Sequence, residues 1–213
     1  MCKLIIALLL VFGIRSIAQE VIVEHYLNGG MRSKGVIIDN KKDGVWYYYF
    51  PDGKLNAVEN LRQGKLHGDV MYYYPNGNME GKEQWQQGML QDSAWYYYDT
   101  GKLYRTGRYS NSVYDGLWKY FHPSGFPERE IQYADGLPNG EIKHFNQQGV
   151  LIQHGYYLDG KEHGEWKFFD DEGRLTFSGF YEAGDRTGVW YQYNKNGRKK
   201  TGGINMYQNS FLI

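Results

Sequence analysis

Bulky apolar and polar positions recur along this chain in a fixed order rather than in the drifting pattern of an amphipathic helix. A glycine or small residue is followed by a short run of rings, then a polar turn, then a mixed second run and another turn. Segments with this order open at Gly44, Gly68, Ser93, Gly116, Gly140, Gly164 and Gly188, with spacings of 24, 25, 23, 24, 24 and 24 residues. A ring stands five residues after each opening: Tyr49, Tyr73, Tyr98, Phe121, Phe145, Phe169 and Tyr193. Two residues after the opening stands a tryptophan in five units (Trp46, Trp95, Trp118, Trp166, Trp190), replaced by Val70 and Ile142 in the others. A turn glycine follows, as at Gly53, Gly77 and Gly173, and a bulky residue returns in the second run, as at Leu61, Tyr109 and Tyr181. A period in this range is the signature of a repeat architecture. Counting back one unit from Gly44 reaches Glu20, where a degenerate copy carries Ile22 and His25 at the tryptophan and ring positions.

The order converts directly to hairpins. Asp52-Gly53, Asn76-Gly77 and Asn196-Gly197 are tight-turn pairs, and Asp135-Gly136 and Asp159-Gly160 supply the turn at the other end. Glycine recurs too often for long helices, and the Tyr-Tyr-Tyr runs favour strand. The expected fold is all-β: an elongated single-sheet array of about eight antiparallel β-hairpin repeats of about 24 residues. A three-residue loop with glycine in the left-handed conformation pairs Tyr49 with Leu55, Tyr73 with Met79 and Phe169 with Leu175. Simple alternation puts these rings on one buried face, together with the second-run rings and the glycines Gly155, Gly179 and Gly203. The tryptophans then fall on the other face, shielded by polar side-chain stems and neighbouring tyrosines as the sheet twists. Each hairpin advances the sheet by about 10 Å.

Composition sharpens this picture. The chain has 213 residues with 28 Gly, 21 Tyr, 10 Phe, 6 Trp and only 5 Pro, and a mean hydropathy of −0.67. Twenty-four basic and 24 acidic residues balance, so nothing favours a nucleic-acid partner. Residues 1–18 read as a signal peptide: Lys3, an apolar run from Leu4 to Ile14, and Ser16-Ile17-Ala18 before a cleavage ahead of Gln19. Residues 19–213 are then the repeat domain, and the expected location is periplasmic or extracellular. Removal of Lys3 and Arg15 leaves 24 − 2 = 22 basic against 24 acidic residues, a charge of −2. The single cysteine, Cys2, leaves with the leader, so no disulfide or thiolate chemistry remains.

Candidate chemistry is thin. His144 and His154 fall in one unit as possible diagonal neighbours, with Glu141 or Glu130 as a third ligand, but no metal site is expected. Asp170-Asp171-Glu172 reads as a solvated turn tip, Glu128 and Glu130 as a chance carboxylate pair, and Arg198-Lys199-Lys200 as a small basic cluster. No catalytic residue and no cofactor are expected. Exposed rings are what binding surfaces use, and the candidate partner surface is Trp46, Tyr48, Tyr72, Trp95, Tyr97, Trp118, Trp166 and Trp190.

The segments "GVWYYYFPDGKL", "GLWKYFHPSG" and "GEWKFFDDEGRL", the last followed by "FSGFYEAGDRTG", resemble the variant MORN repeat. They look most like bacterial proteins labelled YwqK-type antitoxin components of toxin–antitoxin systems. The resemblance implies a hairpin-repeat scaffold that makes protein–protein contacts, in some cases at membranes, with no catalytic residue. The expected function is an exported, non-enzymatic scaffold for another protein. The alternatives are a module that binds envelope polysaccharide or a lipid surface through its Tyr/Trp face, and an antitoxin-like component.

Overall fold

The computed structural model describes residues 19–200 and the backbone of 204–205. The proposed leader, Cys2 and Gly203 lie outside the described residues. From Gln19 onward every element is a strand: Gln19–His25, Met31–Ile38, Lys41–Tyr49, Leu55–Arg62, Lys65–Tyr73, Met79–Gln86, then Met89–Leu90 and Asp92–Tyr97 as one interrupted strand. The meander continues through Leu103–Ser110, Val113–Phe121, Pro127–Ala134, Leu137–Phe145, Leu151–Leu158, Lys161–Phe169, Leu175–Glu182, Asp185–Gln192 and the short Ile204–Asn205. Each strand pairs antiparallel with its neighbours in sequence, which makes one open, all-β sheet of successive hairpins.

Two turns alternate. The loop inside each hairpin holds three residues, as in Pro51-Asp52-Gly53: Phe50 N donates to Lys54 O at 2.8 Å, and Gly53 N to Phe50 O at 2.8 Å. Gly53 takes φ of 86°, a region that costs any side chain with a Cβ. The expected pairs Tyr49–Leu55, Tyr73–Met79 and Phe169–Leu175 all form. Between hairpins the turn has two residues, both with positive φ, as at Gln63-Gly64 and Asp159-Gly160. This is the I′ geometry that matches strand twist. Side chains bridge consecutive loops: Tyr26, Tyr74 and Tyr98 hydroxyls donate to the carbonyls of Tyr49, Tyr97 and Phe121 at 2.6–2.8 Å.

One irregularity overturns the expected faces. Directly after each loop a bulge skips one residue. Tyr49 faces Leu55, but Tyr48 faces Ala57, and the same shift recurs in each hairpin of the array. Beyond the bulge, alternation reverses for the whole second strand. Trp166 therefore faces Gly179, and the second-run rings share the tryptophan face rather than the face of Phe169. The core lies on this tryptophan face: Trp46, Trp118, Trp166 and Trp190 are 0–2% exposed. The anticipated shielding does occur. Tyr114 lies 4.4 Å and Tyr109 5.0 Å from Trp118, ring to ring, while Lys42 covers Trp46 at 4.0 Å and Arg186 covers Trp190 at 4.6 Å.

The third unit is also shifted. Asp92, with φ of 58°, takes the conformation that glycine holds at Gly44 and Gly116, and it pairs with Tyr109 as Gly116 does with Tyr133. The unit opens at Asp92, so the period is a uniform 24 residues. Ala94, fully buried, occupies the tryptophan slot. Trp95, one residue on, turns to the opposite face.

The slots show why the sequence alternates as it does. Each tryptophan lies on a glycine of the preceding hairpin: Trp46 on Gly35, Trp118 on Gly107, Trp166 on Gly155 and Trp190 on Gly179. A Cβ on any of these four glycines would come within 2.2 Å of the indole. Indole Nε1 of Trp46, Trp118 and Trp166 also donates to a carbonyl of that hairpin at 2.9–3.2 Å. Where no tryptophan stands, the glycine is gone: Glu59 precedes Val70, Glu83 precedes Ala94, and Ile131 precedes Ile142. Size on one strand is matched by size on the next, as close packing requires.

Candidate functional surfaces

The two faces of the sheet offer different chemistry. On the tryptophan face, the slots of Val70 and Ala94 hold acids among phenols. Glu83 is 8% exposed and accepts from Tyr96 Oη at 2.6 Å and from Trp85 Nε1 at 2.9 Å. Tyr96 Oη also contacts Tyr109 Oη at 3.2 Å. Burial, followed by the neighbouring carboxylates, raises Tyr48 beside Glu59 and Tyr72 and Tyr96 beside Glu83 well above the usual phenol range. Burial pushes Tyr109 up to about 12. These phenols are locked donors, not bases poised near neutral pH.

Further along the same face stand two arginines. Arg105 lies over the Tyr96 ring at 4.3 Å and donates Nη1 to Tyr114 Oη at 2.7 Å. Arg129 lies over Tyr120 at 4.1 Å. His144, opposite Arg129, is lowered by burial and then by that guanidinium. A hollow of about 250 Å³ lined by Phe168, Phe177, Arg186 and Trp190 closes this end.

The opposite face carries a different row. The ring five residues into each hairpin and its partner form a continuous, half-buried line: Tyr49/Leu55, Tyr73/Met79, Tyr97/Leu103, Phe121/Pro127, Phe145/Leu151 and Phe169/Leu175. Beside it, Tyr47, Met71 and Trp95 fill the middle of the first units. Lys119, Lys143 and Lys167 fill the same position later, each paired with a carboxylate: Glu130 at 3.6 Å, Glu141 at 2.8 Å and Glu165 at 2.9 Å.

The residues proposed from sequence are thus divided. Trp46, Trp118, Trp166 and Trp190 are core and present no ring to a partner. Tyr48 and Tyr72 are half-buried beside Glu59 and Glu83 on the same face. Trp95 and Tyr97 are half-buried on the opposite face, and Tyr97 belongs to the continuous row. Sequence reasoning missed that row as a surface because it assigned the row to the core. His144 and His154 lie on opposite faces, since the bulge places His154 across from Lys143; His154 Nε2 instead meets Glu141 at 2.9 Å. Among the described residues no group of three or more His, Cys, Asp or Glu is placed to hold a metal ion. No described helix is long and apolar enough to cross a membrane.

The sequence model of the MORN repeat variant matches residues 42–61, 66–87, 114–135 and 162–183. Over those segments the chain is built of MORN-type repeats, and the intervening hairpins have the same turns and pairing. No curated protein matches the chain. Among solved structures it is similar to a crystal structure of TcdB2-TccC3, at 11% identity and a TM-score of 0.22 over 87% of this chain and 14% of that one. It is likewise similar to a crystal structure of TcdB2-TccC3-Cdc42, at 12% identity and a TM-score of 0.23 over 83% and 12% of the two chains. The chain thus spans only 12–14% of the length of these structures.

Proposed function

We propose that this chain of MORN-type hairpins is an exported, non-catalytic scaffold that binds another protein along the face opposite its tryptophans. The observation that supports this reading is the half-buried row from Tyr49/Leu55 to Phe169/Leu175. It repeats one shallow apolar contact in each hairpin at intervals of about 10 Å. One such contact is weak, but several on one stiff surface act together by effective concentration. The export rests on the leader-like residues 1–18. An antitoxin-like role would use the same row, with a toxin as the captured protein.

A second reading has its own support. Along the two-residue turns runs an exposed apolar edge, Met89, Val113, Leu137 and Leu158 at 41–53% exposure, with Lys41 and Lys65 before it and Lys161 beyond. Apolar tips flanked by lysines suit an anionic lipid surface. One experiment separates the readings. The full chain is used to capture partners from an envelope fraction at high salt and is sedimented in parallel with anionic vesicles. Protein capture that survives salt and disappears in a Tyr97→Ser/Phe121→Ser variant of unchanged melting temperature supports the scaffold. Vesicle binding that this variant retains, with no protein captured, supports the lipid edge and refutes the scaffold.

A further inference from the structure

We propose that Arg105 and Arg129, on the tryptophan face, form a docking point for an acidic segment of a partner polypeptide. The two hold the same position in consecutive hairpins, on strands Leu103–Ser110 and Pro127–Ala134. They are therefore two strand spacings apart, about 10 Å. Each guanidinium carbon lies over a tyrosine ring of its own hairpin, Tyr96 at 4.3 Å and Tyr120 at 4.1 Å. Both residues are half-buried, and contact of this kind restrains where the guanidinium sits.

Among the described residues neither arginine meets a counter-charge. Their Nε atoms are buried and have no hydrogen-bond partner. Arg105 reaches only the neutral hydroxyl of Tyr114, and neither guanidinium enters an ion pair among the described residues. On the other face the pattern is the reverse: Lys82, Arg108, Lys119, Lys143 and Lys167 each meet a carboxylate. The same chain that neutralises one face leaves two partly desolvated, pre-oriented guanidiniums on the other.

A partly buried charge with an unmet donor costs free energy in the unbound protein. A carboxylate that reaches the remaining N–H groups relieves that cost and gains charge-assisted hydrogen bonds, without first having to order the arginine. The spacing specifies the segment. In a polyproline II-like extended segment, with three residues per turn and about 3.1 Å per residue, carboxylates three residues apart lie on one side and span about 9 Å. The half-buried tyrosines around the pair, Tyr96, Tyr114 and Tyr133, give the backbone of such a segment rings to lie against. This docking point is on the opposite side of the sheet from the ring row, so each can fail without the other.

The test uses the full chain and poly-L-glutamate as probe, with affinity measured by titration calorimetry near physiological ionic strength. Wild type is expected to bind, and Arg105→Gln and Arg129→Gln each to weaken binding at least tenfold with unchanged melting temperatures. Lys143→Gln, which removes a paired cation from the other face, should leave affinity unchanged. If Arg129→Gln unfolds the chain, Arg129→Lys keeps the charge without the fork and is expected to weaken binding as well. Absence of wild-type binding, or equal loss in Lys143→Gln, overturns the docking point. Tighter binding of polygalacturonate than of polyglutamate overturns the polypeptide assignment. The Tyr97→Ser/Phe121→Ser variant should bind polyglutamate normally, which keeps this result separate from that of the ring row.

Discussion

Two stretches of the same face hold their hairpins together in different ways. From Tyr109 to Trp190 the contacts between hairpins are mainly hydrophobic, with indoles on glycines, Ile131 beside Ile142, and rings edge-on to indoles. Trp166 meets Tyr157 at 5.4 Å, and Trp190 meets Tyr181 at 5.2 Å. Around Val70 and Ala94 the indole is missing, and its place is taken by Glu59 and Glu83 with their tyrosines. One fold accommodates both because the backbone depends on turns and bulges, which are common to all units. Packing depends only on whether adjacent slots add up to the same volume. The first solution is mainly apolar and size-matched. The second is polar, and its stability depends on every donor and acceptor being satisfied.

The largest effect separating the stretches is expected from Trp166→Ala. Loss of a fully buried indole should cost about 4 kcal/mol, read from the denaturant midpoint. A change below about 1 kcal/mol would remove the indole–glycine contacts as the main cohesion of this stretch. Next is Gly155→Ala. Its methyl would lie 2.2 Å from Trp166, so overpacking should cost roughly 3 kcal/mol. Gly164→Ala is the control: it has positive φ and open space around it, and should cost only about 1–2 kcal/mol.

The polar stretch is tested by exchange. Ala94→Trp alone drives an indole into Glu83, and Glu83→Gly alone leaves Tyr96 and Trp85 without their acceptor. Both single changes should destabilise. Together they recreate the indole–glycine pair, so the double-mutant cycle should show a favourable coupling of about 2 kcal/mol. Additive costs would mean that slot volume is not what matches the hairpins.

The smallest expected effect is a pH response, in which burial raises Tyr109, Tyr120 and Tyr157 of the first stretch and carboxylates add to burial in the polar one. Tyr48, Tyr72 and Tyr96 are raised above their ordinary value of 10.0 in the folded chain. Below pH 10 both folded and unfolded phenols are protonated, and stability does not change. As pH rises past 10 the unfolded phenols lose their protons while the folded ones keep theirs, so stability falls. Glu83→Gln removes one cause of the Tyr96 shift, and phenolate absorbance should then appear at lower pH. An unchanged titration would show that burial alone raises Tyr96.

Much of this was legible in the chain. Repeating glycines located both turns, and the pairing of Tyr49 with Leu55 followed from loop length. The single-residue bulge after each loop was not legible, because no residue type marks it: Asn56, Glu80, Glu128 and Thr176 occupy the skipped position. That one residue reassigned the second-run rings and the glycines to the tryptophan face, and it exchanged core and surface for the candidate residues. The glycine that opens most units concealed the register of the third. There Asp92 takes a conformation that aspartate adopts more readily than most residues, and Trp95 imitates a slot that Ala94 fills.

The sequence by itself determined the period, the strand class and the turns, because these depend on local backbone preferences that glycine, proline and aspartate carry wherever they stand. Only the tertiary structure decided which face is core and which charges go unpaired. A side chain's face depends on the cumulative register of pairing across neighbouring strands, and one unpaired residue reverses it.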